Sequence, residues 1–367
     1  MELMQAHQQW SSRPADQRFL NLNDLHEHCE HARANSTAKV LSNRMLEAHP
    51  MQEDPDHKAI AIVGPGGLPV APTHWAFGQL CSRAKVPAGY MRDLPADLAA
   101  DCINYSLHHN RDVEEVGVLV HRNGGTPELR AVTGPNYGRI WNSTITSALR
   151  KHFGDGISGA WRVPGEFRKA VTVTKENTTL YASDRDMFVF LADEDHRIEI
   201  PNRRDGQTGT MARGIFVWNS EVGAGTLGMA TFLFDYVCCN RIVWGAKDYR
   251  EIRIRHTSGA PDRWIEQAMP AIEAMREASV MPIEQAIKAA QQRKLTQDVD
   301  EFLTKRFSRS QASAIKAAYM ADEQRPIETL WDVATGITAY ARGIQYQDQR
   351  VDLEREAGKV IDLAVAA

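Results

Sequence analysis

Two stretches of this chain put arginines where they could grip phosphate. Pro201-Asn202-Arg203-Arg204-Asp205-Gly206-Gln207-Thr208-Gly209 reads as a polar loop with two adjacent guanidinium groups. Further on, Glu251, Arg253 and Arg255 alternate with Ile252 and Ile254. A strand there has one apolar face and one face carrying Arg253 and Arg255, followed by His256. A guanidinium offers a planar fork of donors that fits two phosphate oxygens at once. Trp161, Phe167 and Trp218 could add faces on which bases stack. The expected nucleic-acid-binding set is therefore Arg203, Arg204, Arg253, Arg255 and His256. Alternatively, these arginines ion-pair with Glu199, Asp205 and Glu251 on a solvated sheet face.

Asn219-Ser220-Glu221 is a second polar group, set between an apolar stretch and a glycine turn. Turn chemistry accounts for Asn and Ser but does not require Glu. Glu221 is expected to be partly buried and paired with Arg213 or Arg241. Arg213, Asn219, Glu221 and Asn240 also form a possible functional cluster that could hold a metal or a base. An enzyme would have to be built around Glu221, Cys239, Asn240 and His256.

The usual catalytic signatures are absent: there is no Gly-x-x-x-x-Gly-Lys-[Ser/Thr], His-Glu-x-x-His, Gly-x-Ser-x-Gly or Cys-x-x-Cys. Gly223-Ala-Gly225-Thr-Leu-Gly228 has dinucleotide-loop spacing but β-rich surroundings, so a glycine bend between strands is expected. In His26-Glu27-His28-Cys29-Glu30-His31, only His28 and His31 share a helix face, too few ligands for a metal centre. Cys238 and Cys239 are adjacent and point to opposite faces of a strand. No catalytic residue, metal or cofactor is assigned.

Three motifs carry a family resemblance. They are Gly134-Pro-Asn-Tyr137-Gly-Arg139; Arg213 to Gly223, continuing through Phe234 to Ile242 and Arg253 to His256; and Thr329-Leu-Trp331-Asp-Val-Ala-Thr335-Gly-Ile-Thr-Ala-Tyr340. Together, over roughly residues 110–345, they resemble the phage/plasmid-like family known as domain of unknown function 932. Where that family more often has Asn-Ala-x-Thr, this chain has Val333-Ala334-Thr335. The resemblance implies a gene carried by phages, prophages or conjugative elements and brings no settled activity. By association it favours recombination, annealing and anti-defence roles.

The elements that must position these residues change character along the chain. Residues 14–34 are expected as a helix continued by Ala38–Leu46, then a strand at Ala59–Val63. Helices follow at Thr73–Ala84 and Pro95–His109. A hairpin is expected at Val116–Thr133, turning at Asn123-Gly124-Gly125, and an amphipathic helix at Tyr137–Phe153. From Gly159 to His256, closely spaced β-rich stretches argue for antiparallel pairing. From Pro261 the pattern is helical, with a kink at Pro270, caps at Thr296 and Ser310, and Pro326 opening a longer helix. The fold class is α+β: an antiparallel β-sheet core with flanking helices and a helical C-terminal region. The expected units are a helical arm at 1–57, a mixed core at 58–260 and helices at 261–367.

The chain has 367 residues with 43% hydrophobic content and five cysteines, a globular composition without a disulfide framework. No apolar run is long enough to span a membrane and the first 18 residues hold no export signal, so a bacterial cytoplasmic protein is expected. There are 43 Lys+Arg against 47 Asp+Glu, and only the middle segment is net basic, with 20 basic against 18 acidic residues over 111–260. That segment is where a polyanion would bind. The leading expectation is a non-catalytic phage- or plasmid-type accessory protein that binds or anneals single-stranded DNA and could assemble as a homo-oligomer. The alternative is an interaction or anti-defence protein that engages a host or phage protein through its C-terminal helices.

Overall fold

A computed structural model describes residues 14–366 apart from 52–53, 110–113, 123–126, 165–171, 177, 201–207, 236–240, 243–251 and 345–346. The described strands are β1 (Arg18–Phe19), β2 (Ser36–Ser42), β3 (Glu47–Pro50), β4 (Ile60–Val63), β5 (Pro69–Pro72), β6 (Glu115–His121), β7 (Glu128–Thr133), β8 (Trp161–Arg162), β9 (Leu180–Ala182), β10 (Met187–Asp193), β11 (Ile198–Ile200), β12 (Gly209–Asn219), β13 (Leu227–Asp235), β14 (Arg241–Ile242) and β15 (Ile252–Ile254). The helices are α1 (Leu22–Ala34), α2 (His74–Ala84), α3 (Ala88–Asp93), α4 (Ala96–His109), α5 (Asn142–Phe153), α6 (Ala260–Arg263), α7 (Met269–Glu277), α8 (Met281–Gln292), α9 (Val299–Thr304), α10 (Arg309–Glu323), α11 (Leu330–Arg342) and α12 (Gln347–Val365).

The strands form two sheets, and the class is α+β. A six-stranded sheet runs β2-β6-β7-β5-β4-β3, antiparallel except where β5 meets β7. Its core joins Ile62, Val116 and Val132 to Leu80 of α2 and to Ile103 and Leu107 of α4. A nine-stranded sheet runs β1-β9-β10-β12-β13-β14, with β8, β11 and β15 paired to its sides. Period-two alternation sends Ile215, Val217, Leu227 and Met229 to a face covered by α1, α5 and the α6–α7 helix.

The opposite face is a buried aromatic layer of Tyr181, Phe188, Phe190, Phe216, Trp218 and Phe232. Its ring centroids lie 4.1 Å apart for Phe188–Phe216 and 4.5 Å for Phe190–Phe232. Such pairs add about 0.5–1.5 kcal/mol each beyond the area they bury. Glycine makes the layer possible: Gly214 sits opposite Phe232 and Gly228 opposite Trp218. A Cβ at either glycine would lie within 2.0 Å of the facing ring, so the rings lie flat over the bare backbone.

The C-terminal helices pack back onto this sheet, joining Trp331, Ile337 and Val360 to Ile198, Ile200, Met211 and Leu233 in one core. Among the described residues no helix is long and apolar enough to cross a membrane.

Several expected elements are corrected. Ala38–Leu46 is not a continued helix: β2 occupies most of it and pairs with β6 over seven residues. Its Thr37, Val40 and flanking serines are poor helix formers. The first helix starts at Leu22, capped by Asn21, whose side chain accepts from Asp24 N at 2.8 Å. Tyr137–Trp141 is loop, and α5 starts at Asn142. The kink at Pro270 is a π turn at Trp264–Ala268, a wider turn that accommodates a residue without an N–H. Asp298, Ser308 and Thr329 are the actual caps, in place of Thr296, Ser310 and the Pro326 start.

Candidate nucleic-acid interface

The turn between β12 and β13 leaves the nine-stranded sheet and enters the other half of the molecule. Gly223 supplies its positive φ of 80°, so the glycine run is a bend between strands. Asn219, Ser220 and Glu221 are all buried. Asn219 Nδ2 donates to the Ile140 carbonyl at 2.9 Å and to Asn142 Oδ1 at 2.7 Å. Glu221 Oε1 accepts from Asn142 N at 2.8 Å, and Glu221 Oε2 lies 3.3 Å from Arg130 Nη1. The Glu221 carbonyl accepts from Arg139 Nε at 2.8 Å and the Ser220 carbonyl from Tyr137 OH at 2.8 Å. Trp75 and Gln79 of α2 both donate to the Val222 carbonyl. Two motifs far apart in sequence, Gly134–Arg139 and Asn219–Gly223, thus form one joint between the sheets.

Of the two expected partners of Glu221, Arg213 is corrected and the side chain of Arg241 lies outside the described residues; the cation seen beside Glu221 is Arg130 of β7. Arg213 instead pairs with the fully buried Asp193, with Nε at 2.8 Å and Nη2 at 2.7 Å from Oδ2. Both pairs are desolvated, and a buried charge persists only when it is paired and hydrogen-bonded.

Outside the joint lies a row of rings and guanidinium groups. The Arg33 and Arg139 guanidiniums lie 5.5 and 5.6 Å from the Trp141 ring. Arg139 also lies 5.4 Å from Tyr137, and Tyr137 stacks on His256 at 4.9 Å. His256 leads back to Arg255, whose carbonyl accepts from Arg263 Nη2 at 2.8 Å. On the other flank of the turn, Arg185 covers Trp75 at 4.4 Å. Trp75 and Trp141 are half-buried around Val222, while Arg33, Arg185 and Arg255 are exposed. Among the described residues, none of Arg33, Arg139, Arg185, Arg255 and Arg263 has a carboxylate partner.

His256 is set by backbone: its Nδ1 lies 3.0 Å from the Gly138 carbonyl, and its buried Nε2 has no partner among the described residues. Burial lowers its pKa, and the neighbouring Arg139 lowers it further, against the Gly138 carbonyl. The ring is therefore neutral near pH 7 and donates from Nδ1. Burial also lowers the Arg139 pKa. Gly138 has no room for a Cβ, which would lie 1.9 Å from the Thr257 carbonyl oxygen.

The expected binding residues are only partly brought together. Arg255 and His256 sit on the row; Arg253 is exposed on β15, 5.9 Å from the Trp218 ring. Arg203, Arg204, Asn240, Cys238, Cys239, Phe167, Asp205 and Glu251 lie outside the described residues, as does the side chain of Arg241. Trp161 and Trp218 are not stacking surfaces: Trp161 is buried over Arg213 at 5.2 Å and Trp218 belongs to the aromatic layer. The α1 histidines separate, His26 reaching Thr146 Oγ1 at 2.9 Å and His28 packing on Phe19 at 4.9 Å, while Cys29 is core. Among the described residues no three His, Cys, Asp or Glu side chains gather as a metal set.

Sequence reasoning missed Arg33, Trp75, Arg130, Trp141 and Arg185. Trp141 falls inside the helix expected at Tyr137–Phe153, where the sequence pattern gives an aromatic ring no role beyond packing. The signal that could have raised it was its place two residues after Arg139, in a loop opened by Gly134-Pro135.

No curated protein and no solved structure matches the chain. The family model described as Domain of unknown function (DUF932) matches residues 167–359, more than half of the chain. The match includes the Asn219–Gly223 turn and the Thr329–Tyr340 helix and begins beyond Gly134–Arg139, so the other half of the joint lies outside it. The chain belongs to the DUF932 family.

Proposed function

We propose that this protein binds single-stranded DNA without catalysis, as a phage- or plasmid-type accessory protein that holds or anneals strands. The observation that carries this reading is the row Arg33–Trp141–Arg139–Tyr137–His256–Arg255. The guanidiniums of Arg33, Arg139 and Arg255 lack acidic partners among the described residues, and those of Arg33 and Arg139 lie on aromatic rings. Phosphates take up unpaired guanidiniums, and unstacked bases pack on rings and guanidinium planes, which a closed duplex does not present.

Fluorescence anisotropy with a labelled single-stranded oligonucleotide, a duplex control and a salt titration tests it. Single strands bind more tightly than duplex, and log affinity falls linearly with log salt at about 0.7 per phosphate contact. A flat titration at low salt removes the proposal. The alternative partner, a host or phage protein, would dock on the C-terminal helices, where Met320, Leu363 and Val365 are exposed. In that case deletion from Pro326 onward abolishes activity and the arginine variants do not.

A further inference from the structure

The Asn219–Gly223 turn carries a second ring and guanidinium on the flank away from the row. Trp75 Nε1 and Gln79 Nε2, one helical turn apart on α2, donate to the Val222 carbonyl at 3.0 and 2.7 Å. The Arg185 guanidinium lies 4.4 Å from the Trp75 ring, and the Arg185 carbonyl accepts from Ser220 Oγ at 2.7 Å. Ring and arginine are thus each tied to the turn by a hydrogen bond. Arg185 is exposed and has no carboxylate partner among the described residues. Between this pair and the row stands bare backbone. Gly223 is exposed, and a Cβ built on it would lie 3.3 Å from Gln79 Nε2 and 3.5 Å from Tyr137 Cε2. Tyr137 of the row and Gln79 beside Trp75 therefore flank the same glycine. Trp75 and Trp141 also pack around the same Val222.

We propose that Trp75 and Arg185 form a second base-stacking subsite, reached by a strand that crosses the turn over Gly223 from the row. The inference rests on the reading that the row binds single-stranded DNA. Unstacked bases pack on guanidinium planes as well as on rings, and the guanidinium fork also reaches the phosphates on either side of the base. A glycine at the crossing lets the strand lie close to the protein backbone. The competing role is a cap that shields Val222 from water. That role calls for the indole of Trp75 and gives no reason for an exposed guanidinium without an acid. Two acids belong to this flank. Asp184 is exposed and precedes Arg185, and Glu128 of β7 has its carboxyl pushed up by burial and then by Asp184. The Asp184 carboxylate would repel a phosphate passing Arg185, so removing its charge should strengthen binding.

The test is the anisotropy titration of the full chain on labelled oligothymidylates of about 4 to about 16 nucleotides. Wild-type affinity should rise with length until the strand spans both flanks. Arg185→Ala should lower affinity about tenfold on the longest strand and reduce its salt slope by about 0.7. It should leave unchanged the shortest strand that binds, which the larger row holds, whereas Arg33→Ala should weaken both. Asp184→Asn should raise long-strand affinity about twofold. Should Arg185→Ala lower the melting temperature, Asp184→Asn decides alone, and no gain then overturns the subsite. An Arg185→Ala variant that follows the wild type on the longest strand, or loses affinity equally at every length, overturns the subsite while binding by the row stands. Absence of wild-type binding at every length overturns both.

Discussion

The seam between the sheets and the C-terminal helices each contain a buried carboxylate that organises its surroundings, yet they treat their surface cations in opposite ways. Asp332 in α11 accepts from Tyr319 OH at 2.7 Å, Arg325 Nη2 at 2.6 Å, Glu328 N at 3.0 Å and Thr329 N at 2.9 Å. Around it Arg342 pairs with Asp322, Arg355 with Asp352, Lys305 with Glu301, Lys316 with Asp300 and Lys359 with Glu356. Glu221 organises the seam in the same manner, but the guanidiniums just outside it lie on rings and meet no acid among the described residues. Paired exposed charges contribute little to stability and present little net field. Unpaired ones on a stacked row remain available to an anion. The helices use charge to finish a scaffold, and the seam leaves it open.

The comparison breaks hardest at Glu221. Glu221→Ala strands Arg130 in a dry site and removes the acceptor of Asn142 N, so unfolding in urea should show a loss of about 3–5 kcal/mol. If stability barely moves, the joint is not what holds the loop.

Asp332→Ala should cost about 2–4 kcal/mol by the same measurement while leaving oligonucleotide affinity at wild-type values. Burial pushes the Asp332 carboxyl up, but hydrogen bonds from Tyr319, Glu328 and Thr329 and the charge of Arg325 hold it below its ordinary value. A carboxyl depressed in the folded state stabilises above its unfolded pKa, and that stability is lost as pH falls through the folded value. Wild-type melting temperature should therefore drop steeply below about pH 4, and Asp332→Asn should flatten that drop.

On the seam, Arg33→Ala/Arg255→Ala should lower single-strand affinity by about tenfold or more and reduce the salt slope by about 1.4, with an unchanged melting temperature. Affinity at the wild-type level would put these arginines with the scaffold charges. Trp141→Leu should weaken binding by about 1–3 kcal/mol at all salt concentrations, because stacking is not screened. The smallest effect is expected from Lys359→Ala on α12, within about 0.5 kcal/mol for stability and with no change in binding.

Much of the architecture was legible because it follows local periodicity. Alternation in Glu115–His121, the continuous apolar run within Gly209–Asn219 and the 3.6-residue stripes of Leu330–Arg342 identify their elements without reference to anything distant. Residues 36–42 escaped because a strand at the edge of a sheet, exposed over Thr37–Val40, has no apolar period to read. The site was half legible. Arg255, His256 and the oddity of Glu221 stood out by residue type, whereas Trp161 and Trp218 were aromatics of the right kind facing the wrong way.

The sequence by itself determined that this is an α+β chain of the DUF932 family, with an antiparallel sheet, a helical C-terminal region and a polar turn at Asn219–Gly223. Tertiary structure alone decided which charges neutralise one another. Glu221 meets Arg130 across 91 positions and Arg33 reaches Thr144 across 111. Pairing depends on distances of a few ångströms and on burial, and neither is encoded in the local spacing of residues.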